Sequence, residues 1–190
     1  MAESVQDADE AAVSVEASQD RVTEVGALEK RHRYQVFDLY EEFNSIVSAL
    51  EGQGIDYAVC GGLAMAVHGL PRATVDIDLL ILGESLEEVR GLAWTLGYTI
   101  EAFPLTFSHG AVEIRRVSKI DSETGIVLSL DMMLVTPEIV DIWQSRTEVA
   151  WEAGTLWVVS RRGLIALKSL RSSAQDLADI ERLKEIENES

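Results

Sequence analysis

Three aspartates stand where carboxylates are costly. In VDIDLLIL at 75–82, Asp76 and Asp78 are two positions apart and their neighbours Val75, Ile77, Leu79, Leu80 and Ile81 are apolar. Strand residues at that spacing project from one face, so the two carboxylates point the same way. A buried carboxylate carries a large desolvation cost, and a like charge beside it adds to that cost. Asp131 repeats the pattern as a lone carboxylate in LSLDMMLV at 128–135. Something positive must compensate these charges. Arg72 is close in sequence and could pair with Asp76 or Asp78, leaving Asp131 merely to end a strand. A divalent cation with oxygen ligands is the other solution. If the two strands are neighbours, three carboxylates make a site suited to Mg²⁺ or Mn²⁺, which are held by few carboxylates plus substrate phosphates.

A second constellation precedes the first. Gly61-Gly62 follows the apolar run YAVC at 57–60 and leads into a short helical pattern through Val67. At such a strand-to-helix turn, backbone N–H groups can converge on phosphate oxygens without obstruction by side chains. Taken alone, the pair is equally an ordinary tight turn.

The positioning elements follow from periodicity. Apolar residues at helical spacing from Tyr34 to Glu51 predict a helix that the Gly52 and Gly54 pair ends. Strands are expected at 57–60 and 75–82. Ser85 with Glu88 matches a capping box for a helix that stops at Gly97. Further β-like stretches lie near 98–103, 111–118 and 126–135, the last two forming a hairpin around Asp121 to Gly125. Thr136-Pro137 starts another helix, a short β-like segment spans 156–159, and Ser160 and Ser173 cap two closing helices. This order predicts an α/β (α+β) fold: a mixed sheet with antiparallel edges, flanked by helices, with a helical C-terminal segment from about 160.

Composition narrows the function. The chain has 190 residues, 47% hydrophobic and 26% charged, which suits one domain with a proper core. Residues 1–30 carry eight acidic and two basic side chains without amphipathic periodicity, and are expected to be a solvated acidic tail ahead of a domain at 31–190. The net charge of −17 disfavours extended binding to a nucleic-acid backbone. With no apolar run long enough for a membrane span and no signal-peptide pattern, a cytoplasmic protein is expected. One cysteine, Cys60, excludes an internal disulfide framework and a Cys-based zinc site, and its apolar surroundings favour packing. No histidine pair stands at metal-binding spacing; His68 is expected to pack or cap, and His109 to lie at the surface. The four tryptophans are expected in the core.

Together, the glycine pair, thirteen residues, Asp-Ile-Asp and a later apolar-flanked aspartate resemble the signature of the nucleotidyltransferase superfamily related to DNA polymerase beta. CGGLAMAVHGLPRATVDIDLLI at 60–81 is similar to the small bacterial nucleotidyltransferases grouped with the AbiEii toxin family and the minimal nucleotidyltransferases. SRRGLIALKSLRSSAQDLADIERL at 160–183 resembles their closing helices. The likeness covers roughly residues 34–187. It implies that Gly61 and Gly62 contact a nucleoside triphosphate, that Asp76 and Asp78 bind Mg²⁺ (or Mn²⁺), and that Asp131 completes the site and helps activate an acceptor. It also implies that Lys168 faces phosphate and that Asp176 and Asp179 belong to the closing motif, with Gln175 where the family often has lysine. Arg72 is a candidate for a phosphate contact or for carboxylate neutralisation. The implied activity is transfer of a nucleoside monophosphate from an NTP to a hydroxyl of RNA, protein or a small molecule. It is compatible with a toxin paired with an antitoxin protein, an antibiotic-modifying enzyme, or a catalytically silent domain that binds metal or nucleotide.

Overall fold

Asp38 opens the first described helix. Its carboxylate accepts hydrogen bonds from the Tyr40 and Glu41 N–H groups at 2.9 and 3.4 Å, which caps α1 (Leu39–Gly52). The computed structural model describes residues 38–189, apart from 123, 152 and 153. The expected acidic tail, and the start of the first helix at 34, lie outside those residues. Phe43, Ile46, Val47 and Leu50 recur at helical spacing on α1 and are buried.

The elements that follow are β1 (Tyr57–Val59), α2 (Gly61–Val67), β2 (Asp76–Ile81), α3 (Leu86–Thr95), β3 (Ile100–Glu101), β4 (Leu105–Phe107), β5 (Val112–Ile120) and β6 (Val127–Leu134). Then come α4 (Val140–Gln144), β7 (Thr147–Trp151), β8 (Gly154–Val158), α5 (Arg161–Arg171) and α6 (Ala174–Glu189). The strands form one sheet in the order β3-β5-β6-β2-β1-β8-β7, with β4 also paired to β5. β2 runs parallel to β6 and β1 parallel to β8, whereas the remaining pairs, including both edges, are antiparallel. The mixed, antiparallel-edged sheet flanked by helices is the architecture that the element order predicts.

Several local expectations need correction. Ser85 does not build a capping box: it ends a 3₁₀ turn, Gly83–Ser85, and its side chain makes no cap bond. The expected strand at 98–103 is split into two short pieces, β3 and β4. The helix expected at Pro137 begins as a 3₁₀ turn, Pro137–Ile139, before α4. β7 is an edge strand that the sequence pattern does not predict: only Val149 and Trp151 are half-buried, and Thr147, Glu148 and Ala150 are exposed. Trp94 is 59% exposed rather than in the core. By contrast, Ser160 accepts the Gly163 N–H and caps α5. Ser173 and Asp176 cap α6 reciprocally, Ser173 Oγ accepting the Asp176 N–H while Asp176 accepts the Ser173 N–H.

The strands that matter most are central. Ile77, Leu79, Leu80 and Ile81 of β2 are fully buried, as are Leu130 and Met132 of β6. A pair of buried, parallel strands therefore carries all three aspartates.

Candidate active site

The register of the sheet aligns the carboxylates. Asp78 on β2 lies directly beside Asp131 on β6, which lies directly beside Arg116 on β5. Two residues along the strands, Asp76 lies beside Ser129, itself opposite Ser118. Directly opposed residues share a sheet face. A polar stripe of Asp76, Asp78, Ser129, Asp131, Arg116 and Ser118 thus crosses three strands on one side of the sheet. The two serine hydroxyls are 3.1 Å apart and satisfy each other.

The glycine turn is built against this stripe. β1 is antiparallel to β2, and the Cys60 N–H donates to the Asp78 carbonyl at 2.9 Å, so the chain turns beside the Asp78 side chain. Gly61 has φ of +62°, and a Cβ there would sit 1.9 Å from Asp78 Oδ2. Gly62 also packs closely on Thr74, with a Cβ position 2.7 Å from the Thr74 side chain. Both glycines are needed by close approach, and Gly61 by backbone conformation as well.

The closing helices complete the site. Leu164, Leu167, Lys168 and Arg171 of α5 line a narrow cleft with Cys60, Gly61 and Met133. Lys168 is turned inward: its ammonium donates to Asp179 at 2.6 Å and to Asp176 at 3.5 Å, and all three side chains are buried. Asp179 also accepts from Arg72 Nε at 3.1 Å and from the Gln175 amide at 3.0 Å. Lys168 and Asp176 are therefore held by each other and their neighbours. Arg72 ties the loop before β2 to α6, so it is Asp179, and not Asp76 or Asp78, that it neutralises.

No family profile and no curated protein sequence matches the chain. Solved structures do. A Thermotoga maritima protein assigned as a nucleotidyltransferase superposes with a TM-score of 0.50 and 16% identity over 83% of this chain and 96% of its own. The antibiotic-resistance factor ANT(2'')-Ia superposes in its solution structure with a TM-score of 0.51 and 18% identity, over 75% of this chain and 80% of that one. Its crystal structure with adenylyl-2''-tobramycin gives 0.50 and 17%, over 74% and 83%. The chain has the nucleotidyltransferase fold. At these identities the correspondence is one of backbone architecture.

In this nucleotidyltransferase fold the electrostatics single out the aspartate pair. Burial raises the Asp78 carboxyl to about 6, helped by the charges of Asp131 and Asp76 and opposed by Arg171 and Lys168. Burial also raises Asp76, with Arg116 pulling it back. Burial works against an ionised Asp179 too, yet the hydrogen bond and charge of Lys168 keep that carboxyl below its usual range. The Cys60 thiol, fully buried beside Asp78, is pushed well up and stays protonated.

Two residues here escaped the sequence reading. Arg116 grips Asp131 with a bidentate fork, Nε to Oδ1 at 2.6 Å and a terminal nitrogen to Oδ2 at 2.7 Å. Arg171 is partly exposed, contacts Asp176 at 3.5 Å, and lowers the carboxyls of both Asp76 and Asp78 by its charge. His68, by contrast, ends α2 and hydrogen-bonds through Nε2 to the Val159 carbonyl at 2.9 Å, a structural tie to the strand end.

A divalent cation suits the donors that are present. Asp76 and Asp78 are hard oxygen ligands on one face, destabilised as anions by burial, and Gly61 leaves Asp78 Oδ2 the space that any side chain would fill. Among the described residues no three His, Cys, Asp or Glu side chains stand in a ready-made ligand cluster. Asp131 is held by Arg116 through both of its oxygens, whereas Asp76 and Asp78 are the carboxylates, raised by burial, whose donor type would fit a divalent cation. No described helix is long and apolar enough to cross a membrane.

Proposed function

We propose that this protein is a metal-dependent nucleotidyltransferase that moves a nucleoside monophosphate from an NTP to an acceptor hydroxyl. The observation that carries this reading is the side-by-side placement of Asp78 and Asp131 on adjacent parallel strands, with Asp76 on the same face and Gly61 against Asp78. Asp76 and Asp78 hold Mg²⁺ or Mn²⁺ together with the triphosphate. The bound ion supplies charge neutralisation of the phosphate oxygens and lowers the pKa of the acceptor hydroxyl. Gly61 and Gly62 offer backbone N–H groups to the phosphates. Arg171, which lines the cleft and is partly exposed, takes the phosphate-facing role, because the Lys168 ammonium is bound to Asp179. Asp131 accepts the hydroxyl proton as the acceptor oxygen bonds to the α-phosphorus and the bond to pyrophosphate breaks.

Charge bears on the acceptor. With −17 net, the chain favours a cationic small molecule over a nucleic-acid backbone. The structural likeness to the antibiotic-resistance factor ANT(2'')-Ia, solved with adenylyl-2''-tobramycin, supports a small-molecule acceptor. The AbiEii-type toxin role, with an antitoxin partner, rests on sequence resemblance at 60–81 and 160–183. Expression of a toxin arrests growth, whereas expression of a resistance enzyme raises drug tolerance.

A second reading has its own observation. Arg116 already neutralises Asp131, as it would in a silent domain that binds without transferring. The deciding experiment incubates the protein with α-labelled NTPs, Mg²⁺ or Mn²⁺, aminoglycosides and fractionated lysate, beside an Asp76→Ala, Asp78→Ala double variant. Label transfer that vanishes in the variant supports the enzyme and names the acceptor class. Absence of transfer to every acceptor supports the silent domain.

A further inference from the structure

We infer that Arg116 is a latch on Asp131 that competes with a divalent cation for this carboxylate. The inference rests on the reading of Asp76 and Asp78 as cation ligands. Three observations carry it. The guanidinium engages both oxygens of Asp131 at 2.6 and 2.7 Å, one charged donor on each, so any cation approaching this carboxylate meets a positive charge already bound to it. Arg116, Asp131 and Asp78 are successive neighbours across β5, β6 and β2, which places the positive charge within the field of the aspartates where a cation would bind. The two partners differ in freedom: the Asp131 side chain is 6% exposed on a central strand, while that of Arg116 is 34% exposed. A long side chain open to solvent can swing out, whereas Asp131 cannot leave the strand.

The consequences are specific. Without cation, the latch compensates a buried carboxylate that would otherwise be costly. When a cation arrives, Arg116 competes with it for Asp131 and repels it by charge, which lowers the affinity of the empty protein for metal. The released guanidinium, on the same face as the aspartates, becomes available to an anionic group such as a phosphate. Asp131 is then exposed as a ligand or proton acceptor only when the site is loaded.

The test is Mn²⁺ binding to the full chain without nucleotide, measured by electron paramagnetic resonance of the free ion. Arg116→Gln is expected to bind Mn²⁺ about tenfold more tightly than the unaltered protein, with Arg116→Lys in between because it keeps the charge but not the fork. Adding Asp131→Asn to Arg116→Gln should remove the gain. Thermal unfolding with and without Mn²⁺ gives a second readout: Arg116→Gln should melt lower in chelator and gain more from Mn²⁺ than the unaltered protein. Equal or weaker Mn²⁺ binding by Arg116→Gln overturns the latch while leaving the metal site standing. Failure of every protein to bind Mn²⁺, or undiminished binding by Asp76→Asn, Asp78→Asn, overturns the metal reading itself.

Discussion

The backbone of Gly61 runs so close to Asp78 that a Cβ on the glycine would lie 1.9 Å from Oδ2 of the carboxylate. Since φ at Gly61 is +62°, a side chain there is disfavoured twice, by contact and by conformation. Gly61→Ala should therefore destabilise the fold by at least about 2 kcal/mol and push Asp78 out of line. Urea unfolding together with Mn²⁺ titration checks this. Near-normal stability with normal Mn²⁺ affinity would show that the turn can give way and that the contact has no role.

Lys168 and Arg171 of α5 should separate cleanly. Lys168→Met strands Asp176 and Asp179 as buried charges, a loss on the order of 3–5 kcal/mol, with Arg72 and Arg171 offsetting part of it. Arg171→Gln loses one partly exposed contact and should change stability by about 1 kcal/mol or less. Nucleotide affinity should respond in the opposite sense, falling about tenfold for Arg171→Gln. Measuring unfolding and NTP binding on both variants decides the assignment; an Arg171→Gln protein with unaltered affinity would return the phosphate role to another residue.

The contribution of Asp78 to metal-free stability should fall as pH rises through the acid range. The Asp78 carboxyl titrates near 6 in the folded chain and near ~3.9 when unfolded, so between those values the folded protein holds more protons than the unfolded one. Its contribution is most favourable below about pH 4 and is lost by the time the pH passes about 6. Asp78→Asn should flatten this slope and, in chelator at pH 7.5, stabilise the protein by about 2 kcal/mol. Unfolding free energies from pH 3.5 to 8 provide the check, and an unchanged slope in Asp78→Asn would assign the effect elsewhere.

The sequence carried some of this site and hid the rest for definable reasons. Asp76, Asp78 and Asp131 were visible because polar residues inside apolar strand runs break a local pattern. Arg116 was hidden because its partner depends on hairpin register. The signal was nonetheless present: Asp121 and Ile126 close the turn through a backbone hydrogen bond, and five steps outward from each lie Arg116 and Asp131. A slip of one residue would have placed Arg115 there instead. Arg72 misled through proximity, since its partner Asp179 is 107 positions away on α6. Lys168 and Asp176 occupy the helix positions that the resemblance suggests, but helical spacing alone cannot tell an inward ion pair from a face turned to a ligand.

The most direct measurement is equilibrium binding of an NTP analogue with a non-cleavable α,β linkage, titrated into the protein with and without Mg²⁺. Asp76→Asn, Asp78→Asn is the comparison, because it removes charge repulsion at the site and should fold at least as well. The account predicts saturable binding that needs Mg²⁺ and is lost in the double variant. Binding that ignores Mg²⁺, or that survives replacement of both aspartates, would contradict it.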